Sequence, residues 1–209
     1  MIKVEVWSDI NCPYCYIGKK NLERALEKFP RAESVEVEWK SFELDPYANP
    51  PKDADNVDLI AKKYGRDRSW VESMNERIAD MGREAGIDFH FEKVKPANSF
   101  KAHKLLHLAK FYGIQNEMKE TLLYAKFTEG KDISDVETLV KIAVALKLDE
   151  KETREVLQGT RFDRDVRADE EMAARMGISG VPFFVVNGTD ALSGAQPPEA
   201  FVEVLESMN

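Results

Sequence analysis

The sequence predicts an α/β chain: a βαβ unit at one end, a ββα unit at the other, and a large all-helical insertion between them. Three observations predict it. Ile2, Val4 and Val6 alternate with Lys3 and Glu5, and Val35, Val37 and Trp39 alternate with Glu36, Glu38 and Lys40, the period of two of half-buried strands. Phe183–Val186 is a short apolar run followed by Asn187-Gly188, a hairpin turn signal. The stretch from about 57 to 176 is mostly helical in its spacing and is too long for a loop.

The elements follow in order. Residues 2–8 read as a strand, and Ser8-Asp9-Ile10-Asn11 as the loop to Cys12. A helix runs from Pro13 to Phe29, because Pro is at home in a first helical turn and Leu22, Ala25, Leu26 and Phe29 recur at helical spacing. Pro30 stops it, and 35–42 read as the second strand. Residues 45–56, rich in Pro, Asn and Asp, read as a loop. Helices are expected at 57–64, 67–85, 99–112, 115–128, 135–147, 150–158 and 163–176, with Gly65, Gly86, Gly113, Gly130 and Gly177 marking ends. The segment 87–94 reads as either irregular or extended. After the Phe183–Val186 strand, 190–193 can return as its partner, and Pro197-Pro198 opens a last helix with Phe201, Val202 and Leu205 on one face.

Composition narrows the function classes. The 209 residues are 43% hydrophobic and 33% charged, a folded chain rather than a disordered one. With 30 basic and 38 acidic residues the net charge is −8, and no basic stripe is present, so nucleic acid is not an expected partner. No apolar run reaches the ~18 residues of a membrane span. The opening Met1–Trp7 alternates like a strand and lacks the apolar stretch and cleavage site of a signal peptide, so a cytoplasmic location is expected.

Cys12-Pro13-Tyr14-Cys15 is the sharpest chemical signal, and these are the chain's two cysteines. A pair this close staples almost no loop, whereas C-x-x-C beside a βαβ pattern is a redox sign. At a helix N-terminus, unpaired backbone N–H groups and the helix dipole favour thiolate, the nucleophilic form. Cys12, at the cap, is expected to be the more exposed and the ionised sulfur. Cys15 lies one turn deeper on the same face and can resolve a mixed disulfide on Cys12. Two other readings compete: a zinc site in which Cys12 and Cys15 join His103 and His107, and two inert buried thiols. Pro182 alone reads as a strand-start proline.

Together these motifs resemble the DsbA-like branch of the thioredoxin superfamily, and its FrnE-type cytoplasmic members in particular. The residues that carry the resemblance are Ser8-Asp9, Cys12–Gly18, Ala102-His103-Lys104-Leu105, Gly177–Phe184 and Ser193-Gly194-Ala195-Gln196. It implies a thioredoxin fold divided into an N-terminal βαβ half (1–44), a helical insertion with a connecting helix (45–176) and a C-terminal ββα half (177–209). It implies a cis Val181-Pro182 bond beside Cys12, where the backbone pairs with bound peptide or thiol, and substrate contacts from Pro13, Tyr14, Val181 and Pro182. No metal and no resident cofactor are implied; glutathione or another low-molecular-weight thiol is a candidate co-substrate. Disulfide-containing peptides, proteins or small thiols are the expected partners, with no membrane involved.

The expected activity is thiol–disulfide exchange, as a reductase or isomerase. Two alternatives stand beside it. One is a glutathione-dependent isomerase or transferase of the kappa type, whose relatives carry serine where Cys12 stands. The other is a peptide-binding chaperone module built on the helical block. His103 is a candidate accessory residue, as a proton shuttle or substrate contact, against a plain core-edge role for it and for His107. Asp9 and Glu43 are acids near the site, read more plainly as solvated loop residues. Trp7, Trp39 and Trp70 read as core or groove walls, and Met74, Met81, Met172 and Met176 as adaptable packing.

Overall fold

The computed structural model describes residues 1–51 and 54–208. Of the expected 45–56 loop, residues 52 and 53 lie outside the described residues, as does residue 209 of the C-terminal half.

The alternating N-terminal segment forms β1 (Ile2–Ser8), followed by α1 (Pro13–Lys28) and β2 (Val35–Ser41), which pairs parallel to β1 with Val4 opposite Val37. Helices α2 (Asn56–Tyr64), α3 (Arg68–Glu84), α4 (Phe100–Phe111), α5 (Gln115–Phe127), α6 (Val136–Ala145), α7 (Glu150–Gln158) and α8 (Asp163–Arg175) come next. The chain then returns to the sheet as β3 (Phe183–Val186) and β4 (Asp190–Ser193) and closes with α9 (Pro198–Ser207). The sheet order is β2-β1-β3-β4, with β3 antiparallel to both neighbours. Asn187 and Gly188 both have positive φ, the conformation their hairpin turn requires.

Helix boundaries fall within two residues of the sequence expectation because the punctuation is chemical. Asp55, Asp67 and Asp149 accept backbone N–H bonds as N-caps, and Gly65 ends α2 in the left-handed region. One expectation changes, and one open reading is settled. β2 stops at Ser41, one residue early. The 87–94 segment forms no strand: His90 N donates to the Phe127 carbonyl and Thr128 Oγ1 to that of Asp88, which ties the segment to the end of α5, with one 3₁₀ turn at Phe91–Lys93.

Period-two alternation sends Val4 and Val6 to one sheet face, where they pack with Leu22, Ala25, Phe184 and Phe201 under α1 and α9. Trp7 and Val185 face the other way, against Ala173 and Ile178 from α8 and its exit. A third cluster fills the helical insertion, and Tyr16 and Ile17 of α1 belong to it. α1 is thus shared by the sheet core and the helical core, which places its N-terminus at their junction. The edge of β2 is not left open. Gln115 accepts from Trp39 N at 3.0 Å and donates to Trp39 O at 2.9 Å, and Asp169 accepts from Ser41 N at 2.9 Å. Among the described residues no helix is long and apolar enough to cross a membrane.

Candidate active site

The turn after β1 sets up the cysteine pair. Cys12 is the N-cap of α1 with extended backbone (φ −101°, ψ 113°), Pro13 opens the helix, and Cys15 N donates to Cys12 O at 3.1 Å. Both cysteines are free thiols. Cys15 is sealed at 0% exposure and Cys12 keeps 5%. The Cys12 thiol donates to the Val181 carbonyl at 3.5 Å, and the Val181–Pro182 peptide bond is cis.

The order of exposure agrees with the sequence reading, but its extent does not: Cys12 is buried rather than open. The ionisation expectation is also corrected. Its bond to Cys15 and then burial push the Cys12 thiol well up. Burial opposes ionisation of Cys15 too, yet the adjacent Cys12 thiol and the Lys119 ammonium outweigh it and bring Cys15 down. The two sulfurs titrate as a unit, with Cys15 the side brought down and Cys12 the side pushed up. The sulfur–sulfur contact comes first among the causes that lower Cys15, and Lys119 adds to it, fully buried on α5 with Nζ 3.5 Å from the Ser8 carbonyl oxygen. The local helix N-terminus and this cation act on both sulfurs.

Asp9 and Glu43 are not solvated loop acids. Asp9 is fully buried. Its carboxylate accepts from Asn11 N at 3.1 Å and Leu44 N at 2.8 Å, and stands 3.4 Å from His103 Nε2. Burial works to raise its pKa, but the His103 bond and charge and the Leu44 amide hold it down at about 2. Burial lowers His103 below the ordinary imidazole range despite Asp9, and its Nδ1 has no hydrogen-bond partner among the described residues. Neutral His103 therefore donates from Nε2 to an ionised Asp9. Glu43 is buried against Arg167, 2.6 Å away, and burial pushes it up to about 7.

Among the described residues no group of three or more His, Cys, Asp or Glu side chains is arranged to hold a metal ion. The four-residue zinc set weighed from the sequence does not assemble, because His103 turns to Asp9 while His107 Nε2 meets Ser41 Oγ at 3.1 Å and Asp169 at 3.3 Å.

Cys12, Pro13 and Tyr14 open onto a cleft of about 630 Å³ that runs into the helical insertion. Its walls come from the loop after β2 (Leu44, Pro50), from α2 and α3 (Ile60, Met74, Ile78) and from Phe91 and Phe127. Of the four methionines singled out, Met74 lines the cleft, Met172 packs beside Trp7, and Met81 and Met176 are exposed. Trp7 and Trp39 are core residues and Trp70 is half-buried. Sequence reading missed Lys119 and Lys126. Both lie on the Lys119-Leu122-Leu123-Lys126 stripe of α5, and lysines on an apolar stripe were the available signal.

The profile of the DSBA-like thioredoxin domain family matches residues 3–206. The uncharacterized protein YwbO of Bacillus subtilis (strain 168) is 30% identical over 207 residues, covering 98% of this chain and 96% of the relative. The probable DsbA oxidoreductase SCO1869 from Streptomyces coelicolor superposes with TM-score 0.90 at 36% identity, over 99% of this chain and 89% of that one. The cytosolic disulfide reductase DsbM from Pseudomonas aeruginosa shares the fold at TM-score 0.70 and 17% identity, over 98% and 97% of the two chains, and has also been solved with GSH. The family match leaves only the chain ends outside it, and this chain belongs to the DSBA-like thioredoxin domain family.

Proposed function

We propose that the protein is a thiol–disulfide oxidoreductase, working as a reductase or isomerase in a cytoplasmic, reducing setting. The observation that carries the reading is the unequal placement of the two sulfurs: Cys12 borders the cleft and the Val181 carbonyl, and Cys15 is sealed one turn behind it. Cys12 is the nucleophile. As a disulfide enters, Cys12 passes its proton to the Cys15 thiolate and bonds to one substrate sulfur, and the other leaves as a thiolate. Cys15 then loses that proton and attacks the Cys12 sulfur, closing the 12–15 disulfide and releasing the second thiol. The Lys119 ammonium supports the Cys15 thiolate at that second step.

Pro13 and Tyr14 line the substrate groove, and Val181 and Pro182 offer backbone to a bound peptide or thiol, in the manner of strand addition. His103 acts through Asp9, holding the turn that carries Cys12, rather than touching substrate. A small thiol such as glutathione reduces the 12–15 pair again; the related fold solved with GSH supports that choice of reductant.

The test is reduction of insulin disulfides. Cys12→Ser is expected to abolish it, and Cys15→Ser to accumulate a mixed disulfide on Cys12 seen by mass. Full activity in Cys12→Ser would overturn the reading.

A further inference from the structure

The cleft contains a feature that disulfide exchange by itself does not call for. Lys126 lines it, yet its side chain is almost wholly enclosed, with 3% exposure. Among the described residues it forms no ion pair, and its one hydrogen-bond acceptor is the Lys95 carbonyl at 2.9 Å. Among the described residues its other two ammonium protons have no oxygen or nitrogen acceptor, and Nζ stands 5.8 Å from the centroid of the Phe127 ring. Burying a cation in this way is costly unless something meets it. Burial brings its pKa down to about 8, so it remains largely charged at neutral pH.

The surroundings are one-sided in charge. Among the described residues lining the cleft, Lys62, Lys63 and Lys126 are basic and Asp45 is the sole acid, in a chain of net charge −8. The remaining walls are largely apolar, with Leu59, Met74, Ile78, Phe91 and Phe127 among them. A cleft of about 630 Å³ has the capacity of a small-molecule site.

We propose that this cleft selects low-molecular-weight disulfides that carry a carboxylate on an apolar body, with Lys126 as the specificity-determining residue that receives the carboxylate. The proposal rests on the exchange activity of Cys12 described above and names its substrate class. One molecule in the cleft meets both groups: its sulfur at Cys12 and its carboxylate at Lys126. The enclosure of Lys126 argues for a small molecule, because a carboxylate on a protein surface would have to be carried into the cleft to reach it. In a single turnover the reduced pair gives two electrons to the disulfide. The Cys12–Cys15 bond forms, the substrate S–S bond breaks, two small thiolates leave, and the one remaining thiol proton of the pair passes to solvent.

The experiment mixes pre-reduced protein with 5,5′-dithiobis(2-nitrobenzoate), an aromatic disulfide with a carboxylate on each ring, and separately with 4,4′-dithiodipyridine, which has none. Lys126→Met is expected to slow the first reaction on the order of tenfold, the value of one charge-assisted hydrogen bond, and to leave the second within about twofold. Lys126→Arg keeps the preference. Equal effects on both reactions, or none, overturn the proposal. A variant-free arm uses the wild-type protein: 4-nitrobenzoate slows its reaction with the dicarboxylate disulfide, whereas uncharged 4-nitrobenzamide at the same concentration does not. Equal inhibition by both, or by neither, also overturns it. Unchanged rates in Cys12→Ser would instead sink the exchange reading itself, so the two failures are distinct.

Discussion

A β-carbon on Gly18 would stand 3.0 Å from Cγ of Pro182 and 3.1 Å from Cζ of Phe184. The missing side chain lets α1 close against the segment that carries the Val181 carbonyl to Cys12. Phe184 cannot retreat, since it is fully buried and meets Phe201 edge-on with ring centroids 4.7 Å apart. Gly18→Ala gains about 1 kcal/mol of helix propensity but overpacks this contact, at a typical cost of about 1–3 kcal/mol. The expected net result is a loss of about 1 kcal/mol in urea unfolding, together with slower exchange as Val181 is pushed off Cys12. An unchanged midpoint and rate would show that the contact yields freely.

Lys119 is a buried cation kept for its charge. Burial lowers its pKa to about 8, against the pull of Cys15, Asp9 and Cys12. A lysine whose folded pKa lies below its unfolded 10.5 destabilises the fold fully below about 8, and the penalty fades as pH rises to 10.5. Lys119→Met, of similar length, is expected to raise stability at pH 7 by about 1–3 kcal/mol. The same change removes the cation beside Cys15, so the thiolate absorbance of the pair should titrate at higher pH. A variant that is no more stable and titrates as before would refute both halves.

The helix and strand order was legible because its signals are local: caps, glycines and period. The burial of Asp9 was not. Ser8-Asp9-Ile10-Asn11 reads as a polar loop, and only α4, bringing His103 over it, and the Leu44 loop closing from the other side of β2 make it interior. Glu43 is hidden for the same reason, by Arg167 from α8. The ionisation of the pair was not legible because a helix N-terminus can be read from Pro13, whereas the sulfur–sulfur contact, the burial and the Lys119 cation from α5 are tertiary. The cysteine motif was legible in the residues, and its proline partner only through the family resemblance; the cleft was not, since its walls come from six separate segments.

Asp9→Asn separates the two effects of that carboxylate. Its folded pKa of about 2 lies below the unfolded 3.8, so it contributes stability above pH 4 that is lost as pH falls through 2. That linkage is worth about 2 kcal/mol. The variant should be less stable than wild type at pH 7 by that order, and the gap should close on acidification toward pH 2. The negative charge also raises the Cys12 thiol, so the variant's pair should ionise at lower pH. A constant stability gap from pH 7 to pH 2 would mean that Asp9 is not the ionised partner of His103.

Glu43 has the opposite sign. Burial first, then Glu170 and Asp9, raise it from 4.5 to about 7, while Arg167 resists. An acid whose folded pKa exceeds its unfolded one favours the fold below 4.5, and that contribution is lost as pH rises through 7. Wild-type stability should therefore carry a downward slope between pH 5 and pH 8 that Glu43→Gln removes. Gln keeps an oxygen for Arg167, which also retains Glu170 at 2.5 Å, so the arrangement of charges on α8 survives. Comparing urea midpoints of the two proteins at pH 5 and pH 8 cancels the titration of the histidines and buried lysines common to both. The variant should gain on wild type as pH rises, and parallel profiles would place an ionised carboxylate at Glu43 throughout.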